Sequence, residues 1–233
     1  MFERGPERHP VRTDEIRTIW IVDGAYLFNH GRNKPFDYLK LKAEIERANG
    51  GRIHEAYYLN TAPDVATDSQ NAFHSWLKSA PPRGPKMRVQ LYSLKELNCT
   101  CPGCGNGFTR SVQKGVDVGI ATLIVKLAAQ NCYDRLILSA GDGDFADAIT
   151  YIKSDLHKQF WLHGAMANLS TDLQCYADEV LWIDDMHPAI DKDKPSGDGR
   201  DAFRSGGNGG TGGTGGTGGN GGGDGYRPDA ARG

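Results

Sequence analysis

The chain has 233 residues, 38% of them hydrophobic, and a formal net charge of −2, which is enough chain to bury a core without disulfides or metal staples. No apolar run nears the ~18 residues of a membrane span, and the charged opening MFERGPERHP lacks the apolar core of a secretory signal. Five Cys is an odd number for a disulfide framework, so a reduced, cytoplasmic protein with no membrane association is expected.

Residues 1–16 are polar and form a flexible N-terminus by this reading. Strand-like and helix-like segments then alternate. Residues 18–22 (TIWIV) make a continuous apolar, β-branched run, as in a strand buried on both faces. A helix is expected over 36–49, entered at Pro35 and stopped at Gly50. Residues 53–59 read as a strand, 68–79 as a helix, and 87–94 as a strand nearer the sheet edge. A Cys- and Gly-rich loop spans 98–114. The segment 116–129 is a strong helix, with Ile120, Leu123, Ile124 and Leu127 on one stripe. Strands follow at 135–139 (RLILS), 159–163 and 180–183, and helices at 145–154 and 169–176. This order predicts an α/β fold with a mostly parallel central sheet and helices on both faces. The folded domain is placed at 17–187. The tail from 188 to 233 has fourteen Gly among the twenty residues 206–225, too little apolar surface to offset its ordering entropy, and reads as a disordered tether.

Charge is distributed unevenly. Between Lys78 and Lys114 there are seven bases and one acid, whereas between Asp134 and Asp185 there are ten acids and three bases. A basic stretch beside an acidic one suits a protein that holds a polyanion and a divalent cation together, although two solvated faces of opposite sign give the same pattern.

In a parallel sheet the strand C-termini and the following helix N-termini share one edge, where ligands bind. Four acids fall there. Asp23 directly follows the first strand, Asp142 and Asp144 follow RLILS in the sequence SAGDGDF, and Asp117 lies in the first turn of the 116–129 helix. The spacing from Asp117 to Ile120 and Ile124 turns Asp117 toward the sheet-facing side. Buried carboxylates together are costly and repel, and Mg²⁺ or Mn²⁺ resolves both problems. Taken singly, Asp117 also fits a helix-start acid, and Asp142 and Asp144 fit caps or turns. Gly141-x-Gly143-x-x-Ala146 fits a dinucleotide fingerprint, but two Asp inside that loop would face a pyrophosphate with like charge.

The motifs VDGAYLF, KGVDVGIATLIVKLA and LILSAGDGDFADAI, in this order, resemble the NYN domain, and more closely the LabA-like branch of the PIN-like nucleases. The resemblance covers about 17–185. It implies a PIN-like (Rossmann-like) three-layer sandwich and a Mg²⁺- or Mn²⁺-dependent ribonuclease site built from Asp23, Asp117, Asp142 and Asp144. It also implies that Lys114 and Ser139 stand beside that site, contacting phosphate and bonding to the acids. The chain departs from the family pattern at Tyr26, where Asn is usual and Asn29 stands a turn later, at Leu123, and at 146–148.

Cys99, Cys101 and Cys104 form C-x-C-x-x-C, a set that could bind structural Zn²⁺ if a fourth ligand such as Cys132 joined it; free thiols are the competing reading. Cys132 and Cys175 otherwise read as core residues. RNA, single-stranded for access to a strand-edge cleft, would lay phosphates on Arg83, Lys86, Arg88, Arg110 and Lys114, with Phe108 and Tyr26 as stacking surfaces. The expectation is thus an endoribonuclease, able also to form a homo-oligomer. A non-catalytic RNA- or protein-binding module on the same fold is the alternative.

Overall fold

The computed structural model describes residues 16–63, 65–93, 95–112 and 115–192. Six strands form one parallel sheet: β1 (Thr18–Asp23), β2 (Ile53–Ala62), β3 (Arg88–Ser93), β6 (Arg135–Ser139), β7 (Gln159–Gly164) and β8 (Glu179–Trp182), in the order β3-β2-β1-β6-β7-β8. A separate antiparallel hairpin pairs β4 (Lys95–Thr100) with β5 (Gly107–Val112). The helices are α1 (Gly24–Asn33), α2 (Tyr38–Asn49), α3 (Asp68–Lys78), α4 (Val116–Ala129), α5 (Ala146–Ser154), α6 (Thr171–Gln174) and α7 (Ile183–Met186).

The layers follow from strand alternation. Ile19, Ile21, Leu136 and Leu138 face one side, where Val116, Ile120 and Ile124 of α4 and Ile149 and Ile152 of α5 cover them. Trp20, Val22 and Ile137 face the other, against Leu27 of α1, Leu41 and Ile45 of α2, Leu77 of α3 and Ile183 of α7. Every residue of β1 and β6 is buried, which is why both read as unbroken apolar runs. The result is the expected PIN-like sandwich of helices, parallel sheet and helices.

The structure departs from the sequence-based expectations in several places. Helix α1 was not expected. Where a loop is expected over 98–114, the chain forms the β4–β5 hairpin, which begins earlier, at Lys95, and ends at Val112. The helix expected at 145–154 is preceded by a single 3₁₀ turn over Gly143–Phe145. The packed chain runs past residue 188, because Ile190 is fully buried and its carbonyl accepts from the Asp37 amide. Cys132 and Cys175 are exposed, not core. Of the expected flexible N-terminus, residues 1–15 lie outside the described residues, as do residues 193–233 of the expected tail. Among the described residues, no helix is long and apolar enough to cross a membrane.

Candidate active site

Sequential strands run outward from β1 to β2 and β3 on one side and from β6 to β7 and β8 on the other. The strand order therefore reverses between β1 and β6, and open α/β sheets bind ligands at the carboxyl ends of strands beside such a reversal. Asp23 ends β1, and Asp142 comes three residues after the end of β6. The same edge receives the start of α4, with Asp117 in its first turn.

Asp23 is 9% exposed and caps α1: its Oδ1 accepts from the Ala25 amide at 2.9 Å and the Tyr26 amide at 3.2 Å. Its Oδ2 takes no hydrogen bond from the described residues. Burial is the main cause raising the Asp23 pKa above the ordinary carboxylate value; the two amides oppose the rise, and Asp117 and Asp142 add to it. Asp142 caps the 3₁₀ turn, accepting from the Asp144 amide at 3.1 Å. Partial loss of hydration raises the Asp117 pKa first, followed by the charges of Asp142 and Asp144. Asp23 thus feels the charges of Asp117 and Asp142, and Asp117 those of Asp142 and Asp144. Asp117 itself is exposed: the buried stripe of α4 is Val116, Ile120, Ile124 and Ala128, so Asp117 stands one position, ~100°, off the stripe instead of on it. It opens onto a cleft of about 450 Å³ shared with Asp144 and Asp147. Asp147, three residues after Asp144, reads in the sequence as a solvated or capping residue, because a first-turn acid on α5 resembles any helix-start acid, whereas the structure places it in the lining of this cleft.

The chemistry of this donor set fits a hard divalent cation, since every candidate ligand is a carboxylate oxygen. Among the described residues no three His, Cys, Asp or Glu gather closely enough to hold a metal ion by themselves.

The sequence profile of the NYN domain family matches residues 17–184. The chain belongs to the NYN domain family. That family lies within the PIN-like nuclease superfamily. Among solved structures, the protein of unknown function VPA0982 from Vibrio parahaemolyticus is 25% identical with a TM-score of 0.56, covering 78% of this chain and 100% of its own. MurG from Acinetobacter baumannii is 12% identical with a TM-score of 0.35, covering 70% of this chain and 40% of its own, too distant a likeness to support any argument. No curated protein matches significantly.

Other expected residues of the NYN domain are placed differently. The Ser139 hydroxyl is fully buried and accepts from Trp20 Nε1 at 2.8 Å while bonding His163 Nδ1 at 2.7 Å; it supports the sheet interior and does not reach the acids. Arg88 pairs with Glu55 and lies over the Tyr57 ring. It pairs in register with Tyr57, whereas Asp23 pairs with Leu59, so Arg88 enters β3 from the side away from the acids. Tyr26 is structural: its hydroxyl accepts from the Ala165 amide at 2.8 Å and donates to Asn168 Oδ1 at 3.0 Å. Its ring fills the space where a Cβ on Gly141 would sit, a Cβ that would also lie 2.7 Å from the Asn168 carbonyl. Asn29 is exposed on α1. Arg110 lies on β5, its side chain outside the described set, and Lys114 lies outside the described residues altogether.

Cys101 and Cys104 meet at the tip of the hairpin, where the Gly103 and Cys104 amides, then the Cys104 side chain, lower the Cys101 pKa. The zinc expectation gains no support. The three cysteines form no ion-holding group, and Cys132 follows the far end of α4, a helix of 14 residues and so ~21 Å long. A pocket of about 330 Å³ opens beside α1, lined by Phe28, Phe36 and Phe73 with Arg32. Phe28, five residues after Asp23, is 60% exposed.

Proposed function

We propose that this NYN domain is a Mg²⁺- or Mn²⁺-dependent ribonuclease that hydrolyses phosphodiester bonds of single-stranded RNA endonucleolytically. The observation that carries the reading is the position of Asp23 at the end of β1 and of Asp142 in the loop just after β6, the two strands flanking the reversal of strand order, with Asp117 and Asp144 close enough to act on them electrostatically. Asp23, Asp117, Asp142 and Asp144 would hold the cation. When bound, it supplies activation of water and stabilisation of the charge that builds on phosphorus. Asp23 is fixed in orientation by its two backbone hydrogen bonds. Asp117, exposed and with raised proton affinity, is the carboxylate suited to accept a proton from attacking water at its Oδ atoms. Arg110 and Lys114, which precede α4 in the chain, are assigned to phosphate contact. The exposed Phe28 ring supports a single-stranded substrate, since only unpaired bases have free faces to stack on it. Residues 17–192 are taken as the catalytic unit, and the Gly-rich remainder as a tether.

One observation favours the alternative, a binding module without catalysis: no three ligands gather into a closed site among the described residues. Incubating the full chain with end-labelled single-stranded RNA separates the two. Cleavage that is absent in EDTA and restored by Mn²⁺ or Mg²⁺ supports the nuclease. RNA retained by the protein but uncut under every metal condition supports the module.

A further inference from the structure

A second cavity, about 350 Å³, lies at the opposite edge of the sheet, around Ile53 at the start of β2. Six residues of β2 separate Ile53 from Leu59, the partner of Asp23, placing this cavity ~20 Å from the acids. Its walls carry Lys42 of α2, Arg52 and His54 of the α2–β2 region, Lys78 at the end of α3, and Lys86 and Arg88 at the entry to β3. Glu55 is the one acid in the lining, and it is paired with Arg88 and the Tyr57 hydroxyl. Among the described residues, Arg52, Lys78 and Lys86 make no ion pair. Lys78 has a local reason to be there, the negative end of the α3 dipole. Arg52 and Lys86 have none.

The chain goes to some trouble to hold this crowd. Lys42, its Nζ donating to the Pro85 carbonyl at 2.9 Å, has its pKa lowered first by burial and then further by Arg52 and Lys86, against Glu46. The Lys86 backbone adopts φ +56°, a left-handed conformation that disfavours side chains. It is pinned there by the Lys86 amide on Ser79 O at 2.8 Å and the Met87 amide on Leu77 O at 2.7 Å. Arg52, Lys78 and Lys86 are exposed cations gathered around one cavity, one of them on a left-handed backbone, and such a cluster sums to a local positive potential that attracts an anion.

We infer that this cavity is a phosphate-binding site, separate from the acidic edge, that takes adjacent phosphoryl groups of a polyphosphate or of a nucleic-acid strand. With Arg88 taken by Glu55, the three cations without an ion pair, Arg52, Lys78 and Lys86, match a multiply charged phosphoanion better than a single carboxylate. The inference does not depend on the nuclease reading, because it involves none of the four acids.

The test is equilibrium binding to the full chain in EDTA at low salt, with inorganic tripolyphosphate and with a fluorescein-labelled oligouridylate as separate probes. The variants are Lys86→Gly, the double variant Arg52→Ala/Lys86→Gly, and Lys126→Ala as an exposed cation on α4 outside the cavity. Glycine adopts positive φ freely, so Lys86→Gly removes the charge without disturbing the fold, which a thermal melt verifies. The double variant is expected to bind at least about tenfold more weakly and, for the oligouridylate, to lose about 1.4 from the slope of log K against log salt, with Lys126→Ala unchanged. An effect on both probes identifies a general polyphosphate site. An effect on the oligouridylate alone identifies the strand backbone as its ligand. Unchanged affinity for both probes in the double variant, or an equal loss in Lys126→Ala, overturns the inference.

Discussion

Asp23→Asn separates the two roles of Asp23. The carboxylate caps α1 through one oxygen, and an asparagine carbonyl oxygen makes the same two bonds with equal cap preference. The substitution removes a buried charge that Asp117 and Asp142 repel. Without metal, the variant is therefore expected to be more stable than wild type by about 1 kcal/mol, the scale found when function-imposed strain is relieved, or ~2–4 °C in Tm for a domain of this size. Asp23→Ala also loses the charge but forfeits the cap, worth about 1 kcal/mol, and should melt near wild type. The pH dependence has a definite sign. A carboxylate with a raised pKa in the fold binds more protons folded than unfolded, so stability falls as pH rises from the unfolded carboxylate value, ~4, through the raised folded value. The advantage of Asp23→Asn should therefore grow over that window and shrink in acid. Mg²⁺ should raise the Tm of wild type, by ~2.7 kcal/mol of stability at one hundred times its Kd, and leave Asp23→Asn nearly unmoved. Thermal melts in EDTA and in Mg²⁺ across this pH range check all three effects. An Asp23→Asn protein no more stable than wild type in EDTA, with an unchanged pH profile, would refute the reasoning.

Ser139→Ala strands Trp20 Nε1 and His163 Nδ1 in the sheet interior and should cost ~1–3 kcal/mol, seen as a lower denaturation midpoint, while turnover per folded molecule stays at the wild-type level. Tyr26→Phe loses the hydroxyl shared by Ala165 and Asn168 and should lower stability by about 1 kcal/mol with little effect on RNA affinity in a filter-binding assay. Phe28→Ala removes an exposed ring and should leave the melting curve unchanged but weaken single-stranded RNA binding by ~1–3 kcal/mol, the worth of one stacked base.

What could be read from sequence tracks how local each determinant is. Strands β1 and β6 were evident because burial on both faces leaves no polar alternation to misread. The helix of α4 and the acids beside the strand ends were evident for the same reason: each depends on its immediate neighbours. Helix α1 was missed because GAYLFNHGRN opens on Gly and buries only Gly24 and Leu27, leaving little periodic signal. The orientation of Asp117 was misjudged since spacing to Ile120 fits a stripe either through or beside it. Long-range placement was not legible at all. Lys86, Arg88 and Arg110 form one basic stretch in sequence, yet β3 runs from the far edge toward the acidic one, so its length separates Lys86 and Arg88 from the hairpin that carries Arg110. Ser139 is set beside the acids only by the resemblance to the NYN domain, not by anything local in the sequence. Its partners, Trp20 and His163, come from strands whose adjacency only the sheet order reveals.

The most direct test of the central claim is the single-turnover cleavage rate of a 5′-labelled single-stranded RNA at saturating Mn²⁺, compared between wild type and the separate variants Asp23→Asn, Asp117→Asn, Asp142→Asn and Asp144→Asn. If the four acids together form the site, every variant folds and each loses at least ~10²-fold in rate, the scale of removing one group that stabilises transition-state charge. Wild-type rates in Asp23→Asn and Asp142→Asn would contradict the account, because the residues at the reversal of strand order would then take no part in the chemistry.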